Sequence, residues 1–226
     1  MFGAITPAYD RLNHLLSGSL DKHWRRRAAR AALQGLNPCR TVLDVATGTG
    51  DLAAELRTTA TRLGMPPPDV VGADFTRPML RRAGEKYGRG AYAWVEADGT
   101  RLPFASERFD AVTIAFGLRN MLDKPRALAE FSRVVRPGGR VVILEFGQPR
   151  NRLFARCYDF YSFSVLPRIG QWISGSDAYL YLAHSIRKFW TAEALCDAMK
   201  IAGLEQVHCK PILGGIVYLH VGTKPR

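Results

Sequence analysis

Acidic side chains are scarce in this 226-residue chain: 20 Asp and Glu stand against 32 Lys and Arg, a formal charge of +12 at pH 7. The surplus favours anionic partners, whether nucleic acid, acidic lipid or a phosphorylated small molecule. Arginine used simply as a solvated surface residue is the plain alternative. Cysteine is also sparse. Cys39, Cys157, Cys196 and Cys209 are widely separated. They show neither the CxxC spacing of a zinc site nor a disulfide framework, and so read as reduced cytosolic thiols used mostly in packing. No run of about 18 uncharged apolar residues occurs. No charged-then-apolar leader with a small-residue cleavage site opens the chain. These absences predict a cytoplasmic protein, neither exported nor membrane-spanning, whose membrane contact is peripheral at the inner face.

What is present is the material of one globular domain. Hydrophobic residues make up 47% of the chain, enough for a continuous core at this length. Strand-like apolar runs alternate with amphipathic stretches, the pattern of an α/β sheet with mostly parallel strands. Strands are predicted near Thr41–Ala46, Val70–Asp74, Ala91–Glu96, Asp110–Ala115, Arg140–Phe146, Glu205–Cys209 and Ile216–Gly222. A helix from about Pro125 carries Leu128, Phe131 and Val135 at helical spacing, with Pro137, Gly138 and Gly139 as its stop. Another starts after Phe75, with Pro78 preset for its first turn and Met79, Ala83 and Tyr87 facing inward. A third spans about Ala192–Ala202.

Two regions depart from the plain repeat. Ser19 to Leu33 places Leu20, Trp24, Ala28 and Ala31 on one helical face, with Arg25, Arg26, Arg27 and Arg30 supplying much of the rest. Between the fifth strand and the late helix lies an aromatic stretch with Tyr158, Phe160, Tyr161, Phe163, Trp172, Tyr179, Tyr181, Phe189 and Trp190. The organisation expected is a single domain over 1–226, with an N-terminal helical cap over about 1–38 and a substrate-covering insertion over about 148–190.

Chemistry gathers in LDVATGTGD (Leu43–Asp51) and AFGLRN (Ala115–Asn120). Gly48 and Gly50 after a strand let the backbone turn sharply against a ligand. The third glycine of GxGxxG is missing, with Ala53 there instead, so the loop alone is a weak signal. Asp74, ending the second strand, can accept hydrogen bonds from ribose hydroxyls. Asp98, ending the third, can accept from an exocyclic adenine amine. The alternative for each aspartate is a helix or turn cap.

AFGLRN, VVRPGGRVVILEFGQP and YLAHSIRKF, with Tyr9, Asp10 and Asn13 near the start and GGIVYLHVGTK at Gly214–Lys224, give the chain a family likeness. It resembles the demethylmenaquinone methyltransferases and 2-methoxy-6-polyprenyl-1,4-benzoquinol methylases, a family of class I S-adenosylmethionine-dependent methyltransferases. The resemblance implies an α/β Rossmann-like fold with a seven-stranded, mostly parallel sheet, helices on both faces and the last strand antiparallel. It also implies S-adenosylmethionine as cofactor and S-adenosylhomocysteine as product. Thr49, Asp74, Asp98 and Gly99 match cofactor contacts, and Ala115 stands where the family often has serine. Asp44, Ala46, Gly48, Gly50, Asp51, Phe75 and Met79 complete the cofactor-binding candidates. Arg119 and Asn120 match the pair beside the reacting ring, the catalytic candidates. Ser19 where many members have glycine, and Trp190 where many have proline, depart from the pattern at the substrate mouth.

Methylating a ring carbon beside a hydroxyl needs an electron-rich ring, so the implied substrate is a polyprenylated quinol, demethylmenaquinol or a benzoquinol of ubiquinone biosynthesis. No metal is called for. Guanidinium stays charged and directs several donors at one oxygen, which suits Arg119 to a developing phenolate. The same permanence makes it a poor base, leaving a water held by Arg119, Asn120 or Asp74 as proton relay. His184 and His220 are alternative bases. Tyr158, Tyr161, Tyr181 and His220 are the substrate-binding candidates, set against a packing role for each. The basic helix is read as meeting anionic lipid, with a lid over the cofactor as the alternative. A nucleic-acid methyltransferase is the runner-up, but neither an NPPY-like sequence nor a Pro-Cys nucleophile is present, so no nucleic-acid partner is expected. A non-enzymatic scaffold in a quinone-synthesis assembly is a further alternative. The oligomeric state is left open, a homodimer among the readings.

Overall fold

The computed structural model describes residues 20–36, 38–88, 90–149, 151, 156 and 178–226, with backbone only for 178–181. In chain order the elements are α1 (Leu20–Leu33), β1 (Thr41–Val45), α2 (Asp51–Arg62), β2 (Asp69–Asp74), α3 (Arg77–Tyr87), β3 (Tyr92–Glu96) and β4 (Phe109–Ala115). A 3-10 turn follows at Leu118–Asn120, then α4 (Lys124–Val134), β5 (Val135–Phe146), α5 (Ala178–Lys188), α6 (Ala192–Ile201), β6 (Glu205–Ile212) and β7 (Val217–Thr223).

The seven strands form one sheet in the order β3-β2-β1-β4-β5-β7-β6. β1 to β5 run parallel, and β7 runs antiparallel to both β5 and β6. The order reverses between β1 and β4, so their carboxyl ends splay into the crevice where open α/β sheets receive ligands. Both faces are covered. Val42, Leu144, Val217 and Leu219 pack with Trp24, Ala28 and Ala32 of α1 and Leu52 and Leu56 of α2. On the other face Leu43, Val45, Ile114 and Ile143 pack with Leu128 and Phe131 of α4 and Leu195 and Met199 of α6. Strands buried on two sides explain the near-continuous apolar runs VVILEF and FDAVTIA.

The structure changes two expectations about elements. α4 ends at Val134 because Val135 is already extended (φ −76, ψ 141). The RPGG stretch therefore lies inside β5, where the register against β4 shifts between Phe109 and Ala111. The buried stripe of α1 is also rotated from the one expected. Leu20 is 42% exposed, while Asp21, Trp24, Ala28, Ala29, Ala32 and Leu33 are buried. Arg25 turns inward to pair with Asp21 at 2.5 Å and Asp51 at 3.6 Å. The helix is thus a packed layer of the domain, with Lys22, Arg26, Arg27 and Arg30 left on its outer surface.

Candidate active site

The glycine loop begins with a buried brace. Asp44 is 1% exposed and accepts hydrogen bonds from the hydroxyls of Thr47 (2.6 Å) and Thr113 (2.7 Å). Burial pushes its carboxyl up to about 6, although both hydroxyls favour the carboxylate. Asp44 therefore ties the loop to β4 from inside. The loop is also pinned sideways: the Thr47 amide donates to the Ala73 carbonyl (3.1 Å), and the Gly48 amide to Asp74 Oδ2 (2.9 Å). Two conformations in this loop need glycine. Gly48 has φ +57, facing open space, and Gly50 has φ +86, where a Cβ would meet the Trp94 ring at 2.7 Å. Thr49, between them, is buried.

Asp74 Oδ1 accepts from the Thr76 amide (2.8 Å). Each carboxylate oxygen thus spends one backbone hydrogen bond on shaping the loop and keeps acceptor capacity. Asp98 is exposed; its Oδ1 accepts from the amide and hydroxyl of Thr100, both at 2.8 Å. No hydrogen bond to its Oδ2 occurs among the described residues. Phe75 follows Asp74 at the same edge and is 78% exposed, an apolar ring next to a carboxylate. Gly99 is buried beside Met121, and Met79 is buried on α3. The chemistry of this donor set fits S-adenosylmethionine: acceptors for hydroxyl and amine hydrogens, an open glycine cradle and a bare aromatic face.

Asp51 is placed otherwise. It accepts from Lys86 Nζ (2.5 Å) and the Tyr87 hydroxyl (3.0 Å) and faces Arg25. Burial opposes its charge, but Arg25, Lys86 and Tyr87 outweigh that and hold the carboxyl below its usual range. It joins α1, α2 and α3 at the loop's far end.

The second half of the site is at the ends of β4 and β5. Ala46 (φ +51) and Phe116 (φ +57) both adopt the left-handed region, unusual for residues with a Cβ and a sign of strain kept at a working edge. The turn they frame carries Arg119 and Asn120. Arg119 does not point its guanidinium at open space: its side chain is 6% exposed and pairs with fully buried Glu145 at 3.2 Å. Nη1 donates to both Glu145 oxygens and to the Phe116 carbonyl, and the Arg119 amide donates to Glu145 Oε1 (3.1 Å). The guanidinium also lies over the Phe146 ring, 5.4 Å from its centroid. Glu145 and the Phe116 carbonyl thus take Nη1, one of the guanidinium's three nitrogens. Arg119 Nε is buried and has no hydrogen-bond partner among the described residues, and Nη2 donates no hydrogen bond there either, so Nη1 alone is committed. Ala115, one turn earlier, pairs with Leu144 in register.

Sequence reasoning missed Glu145. Its signal was a single acid ending the apolar run VVIL, 26 residues from its partner. His220 is the opposite case. It is 2% exposed, pairs with Ile143 on β5 and contacts the Ala192 carbonyl of α6 at 3.2 Å. Burial lowers its pKa to about 4, against the backbone contacts at Ala192 and Ile143. The structure does not bring it to the substrate edge; a neutral ring in the core has no access to a phenol there. Tyr158 and Tyr161 lie outside the described residues, as does the Tyr181 side chain.

The whole chain has known relatives. The model of the ubiE/COQ5 methyltransferase family matches residues 1–224. A demethylmenaquinone methyltransferase of Thermus thermophilus is 46% identical over 229 residues, covering all of both chains. A ubiquinone/menaquinone biosynthesis C-methyltransferase UbiE of Stutzerimonas stutzeri is 42% identical, covering all of this chain and 88% of that one. Among solved structures, the putative methyltransferase bound to the Trm112 activator of Haloferax volcanii superposes with a TM-score of 0.69 at 20% identity, covering 100% of this chain and 98% of that one. A phosphoethanolamine N-methyltransferase of Haemonchus contortus, solved with S-adenosylhomocysteine, gives 0.62 at 15%, covering 88% of this chain and 53% of that one. The latter two likenesses concern the fold, which is that of class I methyltransferases. With a glycine cradle, two edge carboxylates and an arginine turn on this sheet, and a family match from end to end, the chain belongs to the ubiE/COQ5 methyltransferase family.

Proposed function

We propose that this protein methylates a ring carbon of a polyprenylated quinol, converting demethylmenaquinol to menaquinol at the expense of S-adenosylmethionine. The observation that carries the reading is the end-to-end 46% identity to a demethylmenaquinone methyltransferase. The 42% identity to a UbiE acting in ubiquinone and menaquinone biosynthesis supports a second reading, methylation of a benzoquinol.

S-adenosylmethionine supplies a methyl group already activated on a sulfonium, so the protein's task is alignment and charge. Gly48, Thr49 and Gly50 form the cradle, Asp74 and Asp98 accept from hydroxyl and amine hydrogens, and Phe75 offers the ring face. Ala46, Gly99 and Ala115 line the approach, Met79 backs α3, and Asp44 and Asp51 hold the loop at its two ends. Asn120, at the rim of the turn, faces the quinol, and Arg119 turns the N–H groups it does not spend on Glu145 toward the ring oxygen or a water. Glu145 is a positioning residue: by holding Nη1 and the Arg119 amide it fixes the orientation of the guanidinium. The phenolic proton leaves through a water held at Arg119, Asn120 or Asp74, because a permanently charged guanidinium holds a proton acceptor better than it acts as one.

The quinol's tail implies contact with an anionic membrane surface. Among the described residues no helix is long and apolar enough to cross a membrane, and Arg27 and Arg30 of α1 are exposed. Cosedimentation with anionic vesicles is expected to fall when both become Gln; unchanged binding removes α1 from this role. The decisive experiment supplies labelled S-adenosylmethionine with reduced demethylmenaquinol or a demethylated benzoquinol. Label in the naphthoquinol supports the first reading and label in the benzoquinol the second; label in neither overturns both.

A further inference from the structure

Far along the chain, three ligand-type side chains converge where their spacing in sequence gave no warning. Cys196 of α6, Cys209 of β6 and His220 of β7 bring their donor atoms within 4.8 Å of one another. Cys209 and His220 are register partners across the β6–β7 pair, and His220 sits beneath the first turn of α6, in contact with the Ala192 carbonyl. Cys196 follows Ala192 by one helical turn, which sets its thiol over the same spot. Cys196 and His220 are buried, 8% and 2% exposed, and Cys209 is half-buried.

The histidine is the second, independent observation. Only a ring N–H can meet a carbonyl oxygen, so the contact with Ala192 assigns the proton to Nε2. In the neutral ring Nδ1 then carries a bare lone pair; this atom is buried and unpartnered among the described residues, and the Ile143 backbone carbonyl near the ring has no hydrogen to give it. A metal-bound histidine has this arrangement: one nitrogen ligates while the other donates to a backbone carbonyl, which fixes tautomer and ring orientation. An unsatisfied buried acceptor is destabilising, and a cation at Nδ1 removes that cost.

We propose that Cys196, Cys209 and His220 bind a zinc ion that staples the edge strand β6 to α6 and β7. Two thiolates and an imidazole are a soft set suited to Zn(II). At Zn–S distances of about 2.3 Å, tetrahedral thiolates stand about 3.8 Å apart, so donors already within 4.8 Å need at most about an ångström of closure. Binding releases the two thiol protons to solvent. The fourth position is open to water on the half-buried Cys209 side, which is also the way in. The staple has a mechanical reason. β6 pairs with β7 alone, and its register slips between Glu205 and His208, directly before Cys209. The site is separate from the methyl-transfer edge, since His220 pairs with Ile143, three residues short of the carboxyl end of β5.

The test uses the reduced full-length protein, stripped of metal and titrated with Zn(II), and with Co(II) as a coloured substitute. One equivalent per chain is expected, with intense tetrahedral cobalt bands and a thiolate-to-cobalt charge-transfer band. At about a hundredfold excess of zinc over its Kd the melting temperature should rise by roughly 5–10 °C. Cys196→Ser and Cys209→Ser should each abolish the thiolate band and the shift, and Cys39→Ala should keep both. Turnover of Cys209→Ser at moderate temperature should match the wild type. No uptake by the wild-type chain, or uptake that survives both serine substitutions, overturns the proposal; the wild-type titration decides this even if a variant folds poorly.

Discussion

The two halves of the carboxyl edge of this sheet solve opposite problems. At the ends of β1, β2 and β3 the polar groups are half-satisfied and open: Asp74 and Asp98 each shape backbone with one hydrogen-bond set and retain acceptor capacity. At the ends of β4 and β5 they are closed: Arg119 and Glu145 pair with one another out of solvent. The open half suits a ligand carrying its own hydroxyl and amine donors. The closed half suits a charge that must already be in place when the ring oxygen becomes negative, since a preorganised group pays no reorganisation during reaction.

The closed half should break hardest. Glu145→Gln leaves the Arg119 cation buried without its counter-charge, and a loss of about 3–5 kcal/mol in denaturant unfolding is expected, with turnover falling as well. Replacing both residues with apolar side chains of similar size, Arg119→Met with Glu145→Leu, should recover most of that stability while turnover stays lost. If the double variant remains as unstable as Glu145→Gln, the pair is not the electrostatic unit described.

In the open half the expected effects are smaller and local. Gly50→Ala meets both a left-handed φ and the Trp94 ring, for a loss of about 2 kcal/mol. Gly48→Ala has the φ penalty alone, about 1 kcal/mol, but its methyl enters the cradle and should weaken S-adenosylmethionine binding by calorimetry more than Gly50→Ala does. Reversal of that order would place the cofactor away from Gly48.

Asp44, between the halves, gives an effect no larger than that of Gly48→Ala, read through pH. Its folded pKa of about 6 lies above the usual 3.8, so the folded state holds the proton more tightly than the unfolded chain. Its contribution to stability is then most favourable at low pH and falls as pH rises from about 4 through 6. Between pH 5 and pH 8 this amounts to about 1 kcal/mol. Asp44→Asn should remove that slope, whereas Asp51→Asn, whose carboxyl is held low, should remove one of opposite sign. Parallel pH profiles for wild type and Asp44→Asn would rule out a carboxylate titrating in the core.

The difference between the halves also decides what could be read in advance. The cradle was legible because its signals are local: a turn needing Gly48 and Gly50, and acids at strand ends marked by apolar runs. Arg119 and Asn120 were legible as residues but not as geometry. The partner that turns Arg119 inward lies on the next strand, and only the β4–β5 register brings it near. The stop of α4 was misplaced for a related reason: RPGG reads as a helix terminator, but pairing of Val135 with Phe109 draws those residues into β5. The side-chain type of His220 invites assignment to the substrate, but the sheet buries it beneath α6.

By itself the sequence determined the α/β architecture, the approximate elements and the glycine loop with its strand-end acids, because periodicity, glycine and strand-end acids act over a few residues. Tertiary structure alone decided which charges meet. It paired Arg119 with Glu145, turned Arg25 toward Asp51 and gathered Cys196, Cys209 and His220 on one face. Ion pairing and ligation depend on separation in space, and strand order and register, which no short window of sequence contains, set that separation.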